Sequence, residues 1–423
     1  MWIKGGLVFN PAGNVQEKAD IYIKDGIIAG VYPGGSKNSD EVVIDADGLW
    51  VLPGLVDMHV HLRDPGFEYK EDISSGSMAA AAGGVTTLAC MANTDPVNDN
   101  PSVTNYILEK ARQTSVVRIL PVGAVTKGLK GKELAEMGLM KKAGIVAVSD
   151  DGNPIEDASV LRMALEYAST FGLRVISHCQ DKSMSASGVM NEGALSSLLG
   201  LPGIPPVSED LMVARDVLVS EYTGIPIHIT HVSTQGSIEI IRQAKQRGVK
   251  VTCDVTPHHL LLTEEKVRTY DTNAKMYPPL RGEQDRLALI AALKDGLIDC
   301  IATDHAPHAK DEKDLDFDIA PFGMIGLQTL LPSIMKIHLD HGIDFMDHLA
   351  CATVHPARIL GIDGGEIREG ARADIALVDP QKKWIFTEQE VRSKSKNSAF
   401  LGDAFTGRVE QTMVQGKTVY RAD

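Results

Sequence analysis

The sequence predicts an α/β protein, a (β/α)8 TIM-type barrel over residues 52–364 with small β structure at both chain ends. Eight short apolar segments alternate with helix-like segments through the middle of the chain. That is the pattern of parallel strands joined by helical crossovers. Polar residues able to bind metal follow most of these strands, and a barrel would gather them on one rim. An open doubly wound sheet satisfies the same periodicity, which does not show closure.

The strands expected from the sequence are Leu55–Val60, Thr86–Met91, Val117–Val122, Ile145–Val148, Arg174–Ser177, Pro226–Thr230, Lys250–Cys253 and Cys300–Ala302. Each is a β-branched or apolar run bounded by turn residues or charge. Between them lie helix-like stretches such as EDASVLRMALEYASTFG and SIEIIRQAKQRG. The segment AAAAGGVTT has the glycines of a phosphate loop but no GxxxxGK(S/T) pattern, so it reads as a helix cap and tight turn. Residues 1–51 and 365–423 hold short alternating strands such as DIYIKDG and ADIALVDP, broken by Gly-rich turns.

With 423 residues, 43% of them hydrophobic, the chain can bury a large core. The formal charge of -14 disfavours nucleic acid as a partner. It also requires any anionic substrate to meet a locally positive pocket. No run reaches the ~18 apolar residues of a membrane span. The first residues, MWIKGGLVFN, lack a secretory leader's basic start and long apolar core. The five cysteines are scattered with no CxxC spacing, as expected of reduced, buried thiols in a cytoplasmic protein.

The first strand ends in VDMHVHLRDP, which raises the chemical question. Strand parity puts His59 and His61 on one face, with Met58 and Val60 on the other. Later strands are followed by Asn93, Asp151, His178, His231, Asp304 and His308. Each has a structural reading when taken alone. His178 and His231 would be satisfied core histidines, Asp151 an Asx-turn residue before Gly152, and Asp304 a helix cap. Four histidines and two aspartates on one rim instead fit a site for one or two borderline-soft divalent metals, zinc above others.

The motifs VDMHVHLRDPG, ANTDP, SDDG, SHC, HITHVST, PHHLLLT and ATDHAPH together resemble the amidohydrolase superfamily, and within it the bacterial-type class I dihydroorotases. The resemblance runs through almost the whole chain. It implies that residues 1–51 and 365–423 pair into one small β-sandwich domain. It further implies zinc, two ions per chain or one, with His59, His61, Asp151, His178, His231 and Asp304 as ligands. Asp151 would bridge the metals and Asp304 would act as catalytic acid/base. Arg63, Asn93, His308, Phe322 and Gly323 would bind substrate. The implied activity is reversible cyclisation of N-carbamoyl-L-aspartate to L-dihydroorotate in pyrimidine biosynthesis. A homodimer is implied, and association with aspartate transcarbamoylase is a partner of the same family context.

Parity extends to Arg63, whose guanidinium suits a substrate carboxylate. The competing reading is a surface ion pair with Asp64 or Glu68. Residues 309–323 are charged and end in Pro-Phe-Gly, as a mobile lid or a solvated loop would. Cys179 reads as core, His228 as structural, and His258 and His259 as structural or supporting. Three positions depart from the family: Tyr277 stands where asparagine is usual at a substrate contact, and Gln180 and Gln328 where glutamate is common. These put substrate affinity in question. The alternatives are a hydantoinase- or allantoinase-type cyclic amidohydrolase, which bridges its metals with lysine, and a non-catalytic relative serving as a transcarbamoylase partner.

Overall fold

The structure is a computed structural model that describes residues 1–35, 42–185 and 187–422. Eight parallel strands run in sequence order: β1 (Leu55–Val60), β2 (Val85–Cys90), β3 (Arg118–Gly123), β4 (Ala147–Val148), β5 (Arg174–Ser177), β6 (Ile227–Ile229), β7 (Val251–Val255) and β8 (Cys300–Ile301). β1 and β5 coincide with their sequence expectations. The others shift by one to a few residues. β4 is the shortest of the set with β8, and beyond it the Ser149 hydroxyl donates to the Ile176 carbonyl at 2.9 Å. A side chain there replaces the next rung of the ladder.

The sheet closes on itself just past the strand ends. Val60 bridges His305 in parallel, and the His61 N–H donates to the His305 carbonyl at 2.9 Å. Below this, Asp57 accepts from the Thr303 N–H at 3.2 Å and the Thr303 hydroxyl at 2.6 Å. This closure excludes the open doubly wound sheet.

Strand parity holds for the two histidines but fails for their neighbours. The β1–β2 register slips between Asp57 and Val60. Met58 therefore packs into the barrel interior with Ala89, Met91, Val122, Ala147, Ile176 and Cys300. Val60 instead joins the larger layer between barrel and helices.

The helices form where the sequence patterns place them. Asp157 caps helix Ala158–Ser169, which buries Val160, Leu161, Ala164, Leu165 and Ala168 on one face. Thr234 caps helix Gln235–Gln246, which buries Ile238, Ile241 and Ala244. The AAAAGG segment ends helix Ile73–Ala82 at Gly83, with Gly84 at φ +78°. A Cβ on Gly83 would lie 2.1 Å from the Leu327 carbonyl oxygen, so only glycine fits there.

Both chain ends contribute to one nine-stranded mixed sheet. Trp50–Pro53 pairs antiparallel with Ile375–Ile385, which joins the N-terminal strands to Ala404–Val414 and Lys417–Arg421. The sheet curls over its own core of Ile3, Ile21, Ile28, Val51, Ile375 and Met413, as a small sandwich does. All five cysteines are free and buried. Among the described residues no helix is long and apolar enough to cross a membrane.

Candidate active site

Barrel closure brings the strand-end residues together. His59 Nε2 lies 3.2 Å from Asp151 Oδ2, and His61 Nε2 lies 3.4 Å from the same oxygen. The other oxygen, Asp151 Oδ1, lies 3.4 Å from His178 Nδ1 and 3.3 Å from His231 Nε2. One carboxylate therefore faces two histidine pairs, one with each oxygen. The residues divide into two possible metal-holding groups that share Asp151. Its neighbour Asp150 takes no part. That carboxylate accepts from the Val125 and Thr126 N–H groups at 2.8 and 2.9 Å and secures the turn after β3.

Asp304 joins from the β8 side, with Oδ1 3.0 Å from His61 Nε2 and 3.5 Å from His59 Nε2. Its side chain is 15% exposed, against 5% for Asp151. Asp304 is thus the more accessible of the two carboxylates.

Supporting groups fix which ring nitrogen His59 and His61 offer. The Thr230 hydroxyl donates to Asp254 Oδ2 at 2.9 Å, so it accepts from His59 Nδ1–H at 2.7 Å. His61 Nδ1–H donates to the Asn93 carbonyl oxygen at 2.8 Å. Both rings are left with Nε2 directed at the carboxylates. Asp254 also accepts from the His231 N–H at 2.7 Å and from His228 Nε2 at 2.8 Å. His228 is structural, as the sequence suggests, but it supports the residue that orients His59 and His231.

The electrostatics suit a cation at this point. Burial alone would lower the His59 pKa, but the charges of Asp151 and Asp304 reverse that and push it up to about 10. Burial alone would raise both carboxylates, yet His59 and the neighbouring imidazoles hold Asp151 and Asp304 well below the usual carboxylate range. His59 Nε2 is buried and makes no formed hydrogen bond. A buried imidazole nitrogen with a fixed tautomer, aimed between two carboxylates, is a fitting divalent-metal donor.

A cavity of about 330 Å³ opens from this cluster. Its wall includes all the residues expected to contact substrate: Arg63, Asn93, Tyr277, His308, Phe322 and Gly323. Arg63 lies past the end of β1, so strand parity does not place it. A left-handed turn at φ +61° does, and its Nε donates to the Pro307 carbonyl at 3.2 Å rather than to Asp64 or Glu68. His231 (φ +39°) and Asp304 (φ +47°) share this backbone region, which is strained for residues with a Cβ. Asn93 has committed its carbonyl oxygen to His61. His308 donates from Nε2 to the Phe322 carbonyl at 2.8 Å, and burial, aided by the charge of Arg63, lowers its pKa to about 2. Its buried Nδ1 is therefore an acceptor with no hydrogen-bond partner. Gly323, at φ +123°, sits where a Cβ would come within 2.6 Å of the Ala306 side chain.

The Tyr277 ring stacks on His178, with centroids 5.2 Å apart, and lies the same distance from Phe322. The other two departures point elsewhere. Gln180 donates to the Ser208 hydroxyl, and Gln328 bonds backbone groups of Glu390 and Arg392. Neither lines the cavity. Residues 309–321 form a largely exposed loop, with Lys310, Asp311, Leu315 and Ile319 among the exposed residues, that is anchored at three points. Phe317 and Ala320 are buried, and Lys313 holds the Thr272 and Pro321 carbonyls at 2.9 and 2.7 Å. Cys179 turns away toward Asp216. His259 holds the Thr256 hydroxyl and the Pro278 carbonyl, beside Tyr277.

Sequence reasoning missed Asp254, Thr230 and the Asp57–Thr303 clasp. The available signal was a carboxylate inside an apolar strand, in VDMHV and VTCDV. A buried carboxylate has to be matched by nearby donors.

Known proteins agree with this geometry. A family model described as Dihydro-orotase-like matches residues 48–237. The chain is 51% identical over 423 residues to a protein named dihydroorotase from Geotalea daltonii, with all of both chains covered. It is 52% identical to that of Geobacter metallireducens, with 99% of each covered. It is 49% identical to that of Acetivibrio thermocellus, over 100% of this chain and 99% of the other. Among solved structures, L-hydantoinase (dihydropyrimidinase) from Arthrobacter aurescens superposes with a TM-score of 0.89 at 25% identity, covering 99% of this chain and 96% of the other. D-hydantoinase (dihydropyrimidinase) from a Thermus species gives 0.81 at 25%, covering 99% and 95%. With a closed barrel, a split β domain and about half its residues shared with these relatives end to end, the chain belongs to the dihydroorotase family of the amidohydrolase superfamily.

Proposed function

We propose that the protein is a dihydroorotase that interconverts N-carbamoyl-L-aspartate and L-dihydroorotate. The observation that carries the proposal is Asp151, whose two oxygens each face one histidine pair at the mouth of a cavity lined by Arg63. The dihydroorotase names of the full-length relatives support the same reaction.

His59 and His61 would hold one zinc ion and His178 and His231 a second, with Asp151 shared between them. When bound, zinc supplies Lewis acidity, which polarises a carbonyl oxygen and makes water a stronger acid. In ring opening, water attacks the ring carbonyl, the C–N bond breaks, and the nitrogen leaves protonated. Asp304 Oδ1 takes the water proton and returns one to that nitrogen. In closure the carbamoyl nitrogen attacks the substrate's side-chain carboxylate, Asp304 takes its proton and returns one to the departing oxygen, and the C–O bond breaks to release water. The greater accessibility of Asp304 suits that traffic. Arg63 pairs with the substrate carboxylate, positioned by the Pro307 carbonyl. His308 Nδ1 accepts a hydrogen bond from the substrate, and Phe322–Gly323 bring backbone groups close to it. Tyr277 covers one face of the cavity and shields His178 from water.

The test is hydrolysis of L-dihydroorotate by the purified protein, with zinc measured on the same sample. Turnover with about two zinc ions per chain is expected. A protein that opens hydantoin or allantoin but leaves dihydroorotate intact sinks the substrate assignment. The structural likeness to hydantoinases favours that second reading only at the level of fold.

A further inference from the structure

A second cavity, of about 260 Å³, lies beside the catalytic one, with His308 in the wall of both. Four lysines contribute to its wall: Lys310 and Lys313 from the loop over the site, and Lys394 and Lys396 from the segment leading to the last strands. Only Asp314 and Glu388 bring negative charge to its wall. In a chain of net charge -14 this is a local reversal of sign.

Three of these ammonium groups have no carboxylate within ion-pair reach among the described residues. Lys396 is held by the Val391 and Ser393 carbonyls at 2.6 and 3.1 Å. Lys313 is 6% exposed and is held by two carbonyls alone. Lys310 extends into solvent at the rim. Lys394 is committed to Asp72 and the Glu68 carbonyl. Burying an ammonium without a counter-charge is costly. Burial, with the nearby charge of Lys275, lowers the Lys313 pKa to about 7. An anion in the cavity would relieve that cost. The cavity is too small for a macromolecular segment but suits a small anion.

We infer that this lysine-lined cavity is a binding site for a small multiply charged anion, phosphate-bearing or dicarboxylate, distinct from the catalytic cavity. Lys310 and Lys313 belong to the loop, and Lys396 to the segment packed beside it. A bound anion therefore ties the loop down and acts on His308 through the shared wall. The inference is independent of which cyclic amide the catalytic cavity accepts.

Calorimetric titration of the metal-loaded protein with inorganic phosphate, and separately with succinate, tests it at constant ionic strength. Saturable binding in the millimolar range or tighter is expected for at least one of the two. Lys310→Ala/Lys396→Ala should weaken it about ten-fold or more. Arg63→Ala, which alters only the catalytic cavity, should leave it unchanged. Phosphate binding without succinate binding assigns a phosphoryl-bearing ligand, and binding of both assigns recognition of charge. Amide exchange across residues 309–321 should slow when the anion is bound. No saturation of either anion by about 20 mM overturns the site. So does a loss of binding that follows Arg63→Ala rather than the lysines.

Discussion

His178 and His231 bring ring nitrogens to within 2.9 Å of each other, and both aim at the same oxygen of Asp151. Two imidazoles and a carboxylate oxygen gathered this closely make a ligand set that a shared cation would hold together. Asp151→Ala removes the oxygen common to both groups. Metal analysis should show a fall from about two ions to one or fewer, with kcat down by at least about 10³-fold. Full metal content in this variant would remove Asp151 from the bridging role.

Asp304 is placed differently, as the more accessible of the two carboxylates. Asp304→Asn should keep most of the metal and lose kcat by roughly 10²–10⁴-fold, the usual contribution of a positioned acid/base. The pH–rate profile should lose its acidic limb. Near-normal turnover would mean that another group moves the proton.

Arg63→Ala should lower kcat/KM by the equivalent of about 1.5–3 kcal/mol, the range for a hydrogen bond to a charged group. Metal content should not change. Steady-state kinetics in both directions would measure it, and unchanged constants would return Arg63 to a structural role on the Pro307 carbonyl.

Asp254 touches no substrate, yet it anchors Thr230 and the His231 N–H. Asp254→Asn should weaken metal affinity about 10–100-fold. Activity should return when metal is added in excess, an outcome a merely misfolded variant would not give. Competition with a chelator provides the affinity.

His348 lies far from this chemistry, buried with neither ring nitrogen hydrogen-bonded. Burial, then the charge of His338, lowers its pKa to about 4. An unfolded chain protonates this histidine near pH 6.5, while the folded protein resists until about 4. Stability contributed by the neutral ring is therefore complete above 6.5 and is lost as pH falls toward 4. Between pH 7 and 5 the loss should be about 2 kcal/mol. The denaturant midpoint of the parent should fall relative to that of His348→Leu as pH drops. Parallel curves would exclude His348 as the source.

Strand positions were legible because each strand is a short apolar run with a turn signal after it, and β1 and β5 emerge to the residue. The six clustered side chains were legible for the same reason, since polarity at the end of an apolar strand is easily seen. What sequence could not give is anything made by distant partners. Barrel closure depends on His61 meeting His305, and the tautomer of His59 depends on Thr230. Parity misplaced Met58 because a register slip is a property of two strands together. It also placed Arg63 for the wrong reason, as the residue stands in a left-handed turn beyond the strand. The hydrogen bonds of Gln180 to Ser208 and of Gln328 to residues 390–392 are likewise invisible in one dimension.

The clasp of Asp57 on Thr303 joins residues 246 positions apart. During synthesis, β1 leaves the ribosome long before its closing partner has been made. Until residues 303–305 emerge, His59 and His61 stand on an unpaired edge, without Asp304. A chain cut short anywhere before that point holds five of the six clustered side chains at most, and no closed wall to hold them in place. Completion of the barrel and completion of the six-residue cluster are thus one event.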